Sequence, residues 1–242
     1  MDPKWRGICG GFTLAVSLLI AGCGSNNNAY VRTVNASPGL AGYSVQVGVT
    51  VVASSLPYGT VGVQPAGEYS TDDASGNYRA IGAGNSQAVV LFQKPGTNLA
   101  TTTLSTVKNS DYTIVNLGIF PNISLLALTD NNTAPTSGQF KLRVVHASPS
   151  AGPVDVYITA PGASISGMPA VDDLQFGQVT PNYLQLAPGS YEVQITPHGS
   201  THSVITEAFS PTAGNVYSAF ALDPAPGSNN FGLLVTTDPL TQ

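Results

Sequence analysis

The sequence contains an internal repeat, and this repeat sets the number of domains that the chain can form. Residues 31–38 (VRTVNASP) match residues 142–149 (LRVVHASP) at an offset of 111 positions. Further matches follow at offsets of 105 and 108, and such small drifts are typical of insertions in loops. The sequence therefore predicts two copies of one fold, at about 29–130 and 140–238, joined by a short polar linker at 131–139.

Apolar and polar residues alternate within each copy, which is the pattern of half-buried β-strands. Val154, Val156 and Ile158 alternate with Asp155 and Tyr157, and Pro-Gly turn signals separate such runs. Beyond residue 22 the sequence shows no sustained helical period. Strands of the second copy are predicted to begin near Leu142, Val154, Leu174, Tyr183, Tyr191, Val204, Tyr217 and Phe231. We predict an all-β fold of two tandem antiparallel β-sandwiches with immunoglobulin-like architecture.

The first 22 residues have the organisation of a bacterial lipoprotein signal peptide. Lys4 and Arg6 form a short basic region, an uncharged apolar run follows, and the motif LIAGC ends at Cys23. The run is shorter than the ~20 apolar residues that a transmembrane helix needs. Residues 1–22 are therefore predicted to be the signal peptide, and 23–28 a lipidated cysteine with a short tether. Two or more palmitate-type acyl chains on Cys23 would anchor the protein firmly to a membrane.

Composition excludes several partners and one means of stabilisation. Cys9 is predicted to leave with the signal peptide, so the mature chain has no pair of cysteines for a disulfide. Charged residues make up 9% of the chain, against about 25% in typical soluble proteins. The 13 acidic residues exceed the 8 basic ones, which argues against nucleic acid as a partner and against membrane binding through a basic patch.

These features predict an extracytoplasmic location in the cell envelope. The protein would reach the membrane through its lipid anchor alone. Gly24 stands where some lipoproteins of the inner membrane carry aspartate, so we expect the outer membrane if the source has one. Otherwise we expect the extracytoplasmic face of the cell membrane.

Several segments of the second copy closely resemble the DUF4397 family. The opening motif of that family resembles LRVVHASP followed by PVDVYI at 153–158. The Phe176-Gly177 pair, the segment LAPGSY at 186–191 and the Gly214/Tyr217 region also fit its pattern. The resemblance covers nearly the whole chain after the signal peptide. It implies tandem β-sandwich domains of uncharacterised function in envelope and secreted proteins, some of which carry an anti-sigma-factor label.

The first copy departs from this pattern at three polar positions. It has Asn35 where the second copy has His146, Ser44 in place of Asp155, and Gln46 in place of Tyr157. If these polar positions form a site, that site is expected in the second copy alone.

Arg143, His146, Asp155 and Tyr157 are the candidate polar cluster of the second copy. A hydrolase needs an activated nucleophile, a base and an oxyanion hole, and the chain has no Gly-x-Ser-x-Gly nucleophile motif. We therefore assign no catalytic residue. The segment Ala147-Ser148-Pro149 is interpreted as a turn in which the Ser148 hydroxyl bonds local backbone and His146 supports the turn.

Other polar residues are interpreted as structural. His198 and His202 lie near Pro-Gly turn residues, and no cysteine or glutamate nearby completes a metal site, so neither a metal nor a cofactor is expected. The pairs Asp72-Asp73 and Asp172-Asp173 are interpreted as solvated loop acids. Most tyrosines fall on alternating repeat positions and are assigned to packing, with Tyr157 expected to be the most exposed.

The sequence favours a non-enzymatic, lipid-anchored envelope module that binds, adheres to or spaces an unknown envelope protein or glycan. Binding would use loops or an exposed sheet edge. One alternative is a regulatory, anti-sigma-like envelope protein, which only the family resemblance implies. Another alternative is a hydrolase of envelope polymers, which would require convergent ionisable groups in a cleft.

Overall fold

The computed structural model of this chain describes residues 27–62 and 78–240. The predicted signal peptide, the predicted lipid site at Cys23 and the Asp72-Asp73 pair lie outside the described residues. Apart from a 3-10 turn at Pro149–Ala151, the regular structure in the described residues is β-strand. None of the described segments forms an apolar helix of membrane-spanning length.

Seventeen strands are present in the described residues, nine in the first copy and eight in the second. Each of the eight strand starts predicted for the second copy lies within three residues of an observed start. The strands of the first copy are β1 (Asn28–Asn35), β2 (Ser44–Val47), β3 (Thr50–Ser54), β4 (Thr60–Gly62), β5 (Arg79–Gly82), β6 (Gly84–Lys94), β7 (Thr97–Thr106), β8 (Asp111–Ile119) and β9 (Asn122–Asp130). Those of the second copy are β10 (Phe140–His146), β11 (Val154–Thr159), β12 (Val171–Leu174), β13 (Leu184–Leu186), β14 (Tyr191–Pro197), β15 (Ile205–Phe209), β16 (Val216–Leu222) and β17 (Gly232–Asp238).

Each copy consists of two sheets, as the predicted sandwich fold requires. The first copy contains sheet I, in the order β3-β2-β6-β7, and sheet II, in the order β4-β1-β8-β9, with β5 also paired to β1. The second copy contains sheet III, in the order β13-β10-β16-β17, and sheet IV, in the order β12-β11-β14-β15. The all-β class is confirmed. Sheets I and IV are antiparallel, as predicted, whereas sheets II and III are mixed, because β1 runs parallel to β8 and β10 runs parallel to β16.

Three apolar cores separate the four sheets. Residues of sheets I and II form the core of the first copy, which includes Val31, Leu91 and Ile114. Residues of sheets III and IV form the core of the second copy. Residues of sheets II and III form a third core between the copies; its buried members are Val34, Ala36, Val115, Leu117, Leu128, Val145, Ala147, Phe220 and Leu222. The sheets therefore stack in the order I-II-III-IV.

The third core explains why some strands lack the polar face of an ordinary sandwich. Every residue of β10 and of β16 is buried, because both faces of sheet III are covered. Strand β1 ends in five consecutive buried residues, and β8 has seven in a row. Near-continuous apolar runs of this kind are the pattern of strands buried on two faces. The two copies are thus packed sheet against sheet along the strands that carry the repeated motif.

Candidate functional site

Reciprocal ion pairs cross the interface between the two copies. Arg32 Nη2 of the first copy lies 2.7 Å from Asp238 Oδ1 of the second. Arg143 Nη2 of the second copy lies 2.5 Å from Asp130 Oδ1 of the first. The four side chains are almost completely buried. Because each arginine is paired with a carboxylate from the other copy, removal of one partner leaves a buried charge without its counter-ion.

The same network repeats itself around a pseudo-twofold axis. Arg32 Nε donates to Thr113 Oγ1 at 2.9 Å, and its guanidinium lies 4.8 Å from the ring centre of Tyr78. The equivalent Arg143 Nε donates to Ser218 Oγ at 2.8 Å, and its guanidinium lies 5.5 Å from the ring centre of Tyr183. Burial raises the pKa of Tyr183 to about 12. The predicted cluster residue Arg143 therefore belongs to the interface between the copies.

The contacts between the copies show that β1 and β10 run in the same direction in the facing sheets II and III. Asp130 and Asp238 lie beside the starts of these strands, and the ion pairs hold the two starts together. At the finishing ends, the Tyr58 hydroxyl donates to the Asp223 carbonyl, and Gly177 approaches Leu117. The end of the molecule at which β1 and β10 start is called the tether end. The opposite end, at which these two strands stop, is called the far end.

His146 supports the turn that follows β10, as the sequence indicated. Its Nδ1 accepts a hydrogen bond from Ser148 N at 3.3 Å, and its Nε2 bonds the Gly152 carbonyl at 2.6 Å. The equivalent Asn35 does the same work in the first copy, because its Oδ1 accepts from Ser37 N at 3.1 Å and its Nδ2 donates to Leu56 O at 2.8 Å. The His146/Asn35 difference between the copies is therefore a conservative exchange between two turn supports.

The Ser148 hydroxyl has a different partner from the predicted one. It donates to the Asp223 carboxylate on the loop after β16, and not to local backbone. The same carboxylate accepts from Ser150 N at 3.1 Å and from Ser150 Oγ at 2.9 Å. Asp223 therefore joins two loops of the far end.

The buried position of His146 predicts a specific dependence of stability on pH. Burial lowers the pKa of His146 below its ordinary value of about 6.5. As the pH falls through that value, the unfolded chain binds a proton that the folded chain does not, so the free energy of unfolding decreases. Urea denaturation between pH 8 and pH 5 should show this decrease in the wild type and a smaller decrease in His146→Asn.

The exposed His202 provides the control for this prediction. His202→Asn, a change at an exposed side chain, should keep the wild-type dependence of stability on pH. Equal slopes for wild type and His146→Asn would contradict the structural assignment of His146.

Asp155 has a different role from Arg143. It is paired with His198, a residue that the sequence analysis did not connect to it. His198 Nδ1 bonds Asp155 Oδ1 at 2.8 Å, and Asp155 also accepts from Gly199 N and from Asp173 N, each at 2.9 Å. Burial alone would raise the pKa of Asp155, but these three hydrogen bonds hold it below its usual value. The hydrogen bond that His198 donates to Asp155 raises the pKa of His198. Pairing of β11 with β14 brings the two side chains together.

Asp155, Asp172 and His198 are the three residues of the described chain whose side chains could share a metal ion. Their ligand atoms lie within 4.8 Å of one another. Both oxygens of Asp155 already accept hydrogen bonds from the protein, so this carboxylate has a structural role in the hairpin without an ion. The arrangement fixes the β14–β15 hairpin against β11.

Two predictions about neighbouring residues were wrong. Asp172 and Asp173 are exposed, as expected, but they lie in strand β12 and not in a loop. Tyr157 is buried, with only 8% of its surface exposed, although we expected it to be the most exposed tyrosine. Its cross-strand neighbour Gln194 donates to the carbonyl of Ala163, so the connection between β11 and β12 covers this face of sheet IV.

The four predicted residues therefore do not form one cluster. Arg143 and His146 lie on opposite faces of β10, because side chains alternate along a strand. Arg143 contacts the first copy, His146 supports its own turn, Asp155 holds the β14–β15 hairpin, and Tyr157 lies beneath a loop. Their polar atoms serve the fold, and they do not converge on a common point.

The linker folds back on the second copy and forms a polar groove of about 470 Å³. Lys141 Nζ lies in the wall of this groove, where it donates to Asn131 Oδ1 at 3.1 Å and to the Thr133 carbonyl at 2.9 Å. A third bond goes to Thr133 Oγ1. Burial lowers the pKa of Lys141. All three protons of this ammonium group are used to hold the linker. The lysine in the groove therefore has a structural role, which explains its presence there without a ligand.

Exposed apolar side chains form a surface at the far end, in which the Phe176 ring also lies edge-on to the His146 ring at 6.3 Å between ring centres. Ile119 and Phe120, at the tip of the β8–β9 hairpin, are 46% and 45% exposed. Phe176 of the second copy is also exposed and precedes Gly177, which approaches Leu117 near the same hairpin. The two copies thus bring exposed apolar residues together at one end of the molecule. Turns ordinarily carry small or polar residues, so this surface is the strongest candidate for an interaction site.

The four stacked sheets, the reciprocal ion pairs and the turn-supporting side chains define a tandem β-sandwich protein built from two fused copies of one domain. The family described as "Domain of unknown function (DUF4397)" matches residues 29–157 and 162–242 of the chain. The chain belongs to this family, as its motifs had indicated.

Comparison with other proteins adds one structural likeness. No curated protein sequence matches the chain. Among solved structures, the chain is similar to a family 41 carbohydrate-binding module from streptococcal virulence factors, described for alpha-glucan recognition. That likeness has 15% sequence identity and a TM-score of 0.25, and covers 79% of this chain and 92% of the other.

Proposed function

We propose that this chain is a lipid-anchored, non-catalytic binding module of the cell envelope, which presents its far end to a protein partner. The observation that carries this proposal is the parallel joining of the two copies by buried, reciprocal ion pairs. This joining fixes the direction of both copies, so that their starting ends face one way and their far-end loops face the other.

The anchor follows from the position of Cys23. Asn28, the first residue of β1, lies only five positions after Cys23. An extended chain spans at most ~3.6 Å per residue, so five residues reach about 18 Å. A lipid on Cys23 would hold the tether end beside the membrane. The hairpin that carries Phe120 would then face away from the membrane, where a partner can reach it.

A non-catalytic role follows from the use of the ionisable side chains. The residues that could suggest a hydrolase, namely Arg143, His146, Asp155 and Ser148, are each hydrogen-bonded to structural partners. Catalysis by such groups requires that they converge on a substrate position. Their dispersal over separate parts of the second copy favours a binding module over a hydrolase.

The apolar character of the far end favours a protein as the partner. Ile119, Phe120 and Phe176 offer aliphatic and aromatic surface. Aromatic residues are enriched in the cores of protein interfaces. A glycan site would instead require several hydrogen-bond donors and acceptors directed at one sugar.

Photo-crosslinking in living cells tests this proposal. A benzophenone amino acid in place of Phe120 should form an adduct with a single envelope protein, and Ile119→Ser should reduce the yield. The same group in place of Met168, which is exposed on the second copy away from the far end, should give no such adduct. With Cys23→Ser, the protein and its adduct should move from the membrane fraction to the soluble fraction.

Three results would contradict the proposal in different ways. Equal labelling from positions 120 and 168 would argue against the far end as the binding surface. A glycan adduct from position 120 would replace the protein partner with a carbohydrate. Retention of Cys23→Ser in the membrane fraction would argue against the lipid anchor.

A further inference from the structure

Two exposed valines lie at the tips of turns in the first copy. Val49, in the β2–β3 turn, is 97% exposed, and Val107, in the β7–β8 turn, is 64% exposed. Turn tips in water ordinarily carry glycine, proline, asparagine, aspartate or serine. Branched aliphatic side chains at two such positions indicate a surface that does not face water alone.

Both turns lie at the tether end, beside the point where the chain enters the first copy. The Asn27 carbonyl accepts from Ala83 N, and the Asn28 carbonyl accepts from Asn109 N, each at 2.8 Å. Asn109 belongs to the same turn as Val107. The residues that follow Cys23 therefore reach the fold directly beside the Val107 turn.

The side chain of Gln87 connects the two valine turns. Its Nε2 donates to the Gly82 carbonyl at 2.8 Å and to Thr106 Oγ1 at 2.6 Å. Its amide end also lies against Gly48, the residue before Val49. Since Thr106 immediately precedes Val107, a single side chain spans from one turn to the other. Val49 and Val107 thus flank one small area at the tether end.

The second copy has the same turn without the apolar side chain. Thr212 occupies the position equivalent to Val107, and its backbone N donates to Tyr217 at 3.1 Å, as Val107 N donates to Tyr112 at 2.9 Å. Ala213 stands where the first copy has the exposed Lys108. The turn geometry therefore does not require Val107 or Lys108. Both residues occur in the copy that the tether joins.

We propose that Val49 and Val107 insert into the interfacial region of the bilayer that holds the lipid on Cys23, while Lys108 contacts anionic headgroups. This inference rests on the lipid anchor of the proposed function. Shallow insertion of apolar side chains with a flanking lysine is the usual chemistry of a peripheral membrane contact. The valines would hold the two-copy unit upright on its short tether and keep the far end away from the membrane.

Site-specific tryptophan fluorescence tests the proposed contact. The chain from Cys23 onward has Cys23 as its only cysteine and contains no tryptophan, since Cys9 and Trp5 precede it. Coupling Cys23 to a maleimide lipid in phosphatidylethanolamine–phosphatidylglycerol vesicles imposes the anchor chemically. Val107→Trp and Val49→Trp should then show blue-shifted emission and several-fold stronger quenching by brominated lipid chains than the far-end control Phe120→Trp.

A second variant separates membrane insertion from a local effect at the turn. Adding Val49→Ser to Val107→Trp should weaken the quenching, whereas adding Met168→Ser should leave it unchanged. Quenching of Val107→Trp no stronger than that of Phe120→Trp would overturn the inference. Because the lipid is attached chemically, this outcome is independent of whether cells lipidate Cys23, which the fractionation of Cys23→Ser tests.

Discussion

Replacing Arg143 with methionine should lower the free energy of unfolding by about 3–5 kcal/mol, because it leaves a buried carboxylate without its counter-ion. Asp130 would keep its hydrogen bonds from Thr113 at 2.7 Å and from Tyr78 at 2.6 Å, but these donors are neutral. Equilibrium unfolding in urea measures the effect. Lys94→Met, an equivalent change at an exposed position of β6, should alter stability by less than about 0.5 kcal/mol.

A double-mutant cycle shows whether this loss comes from the ion pair across the interface. Asp130→Leu alone should also be destabilising, because it leaves the buried Arg143 with only the more distant Asp238 carboxylate, at 3.9 Å. The combined variant Arg143→Met/Asp130→Leu should be less destabilised than the sum of the two single variants, since both charges are then absent. Additive losses, or an Arg143→Met variant as stable as Lys94→Met, would show that the pair does not join the copies.

The period-two pattern of the sequence predicted those strands that have one face on a core. Strand β11 directs Val154, Val156 and Ile158 toward the core of the second copy, as their spacing indicated. The other face of β11 was harder to predict. Tyr157 occupies a polar position of the pattern, yet it is buried, because the connection at 160–170 folds over it. Alternation identifies the two faces of a strand but does not show what a distant loop covers.

The third core could have been recognised from two strand sequences that depart from the alternation of a half-buried strand. Strand β10 reads FKLRVVH and β16 reads VYSAFAL, and neither alternates cleanly. Such runs indicate strands buried on both faces, so a second layer over sheet III could have been inferred. The partners of Arg32 and Arg143 could not have been inferred in this way. Each arginine bonds an aspartate that belongs to the other copy, and the packing of two domains is not encoded in the local pattern of either.

The repeated arginine nevertheless carried a partial signal. Arg32 and Arg143 occupy the same position of the two motifs, and Asp130 and Asp238 share the same position at the ends of the two copies. A charged residue in the middle of a buried strand requires a partner of opposite charge. The repeat indicates that the two arginines have equivalent aspartates as partners. The fold shows that each arginine pairs with the aspartate of the other copy. Asp155 and His198 had no comparable signal, because only the pairing of β11 with β14 brings them together.

The third core and the ion pairs together make the two copies one cooperative unit. Sheets II and III each lose their solvent-facing surface to the other, so unfolding of one copy would expose apolar residues of its neighbour. Phe220 lies in this shared core and is completely buried. We therefore expect the wild-type chain, from Cys23 onward, to unfold in a single calorimetric transition in which the van't Hoff and calorimetric enthalpies agree.

Phe220→Ala should reduce stability by about 3–5 kcal/mol and separate the single transition into two. The truncation removes contacts that belong to both copies, so the coupling between them weakens along with the total stability. Phe209→Ala is the matched control, because Phe209 is similarly buried but lies in the core of the second copy alone. It should cost a similar free energy and leave one cooperative transition, since the interface stays intact. Two transitions already in the wild type, or one transition in Phe220→Ala with the full loss of stability, would contradict the assignment of Phe220 to a coupling interface.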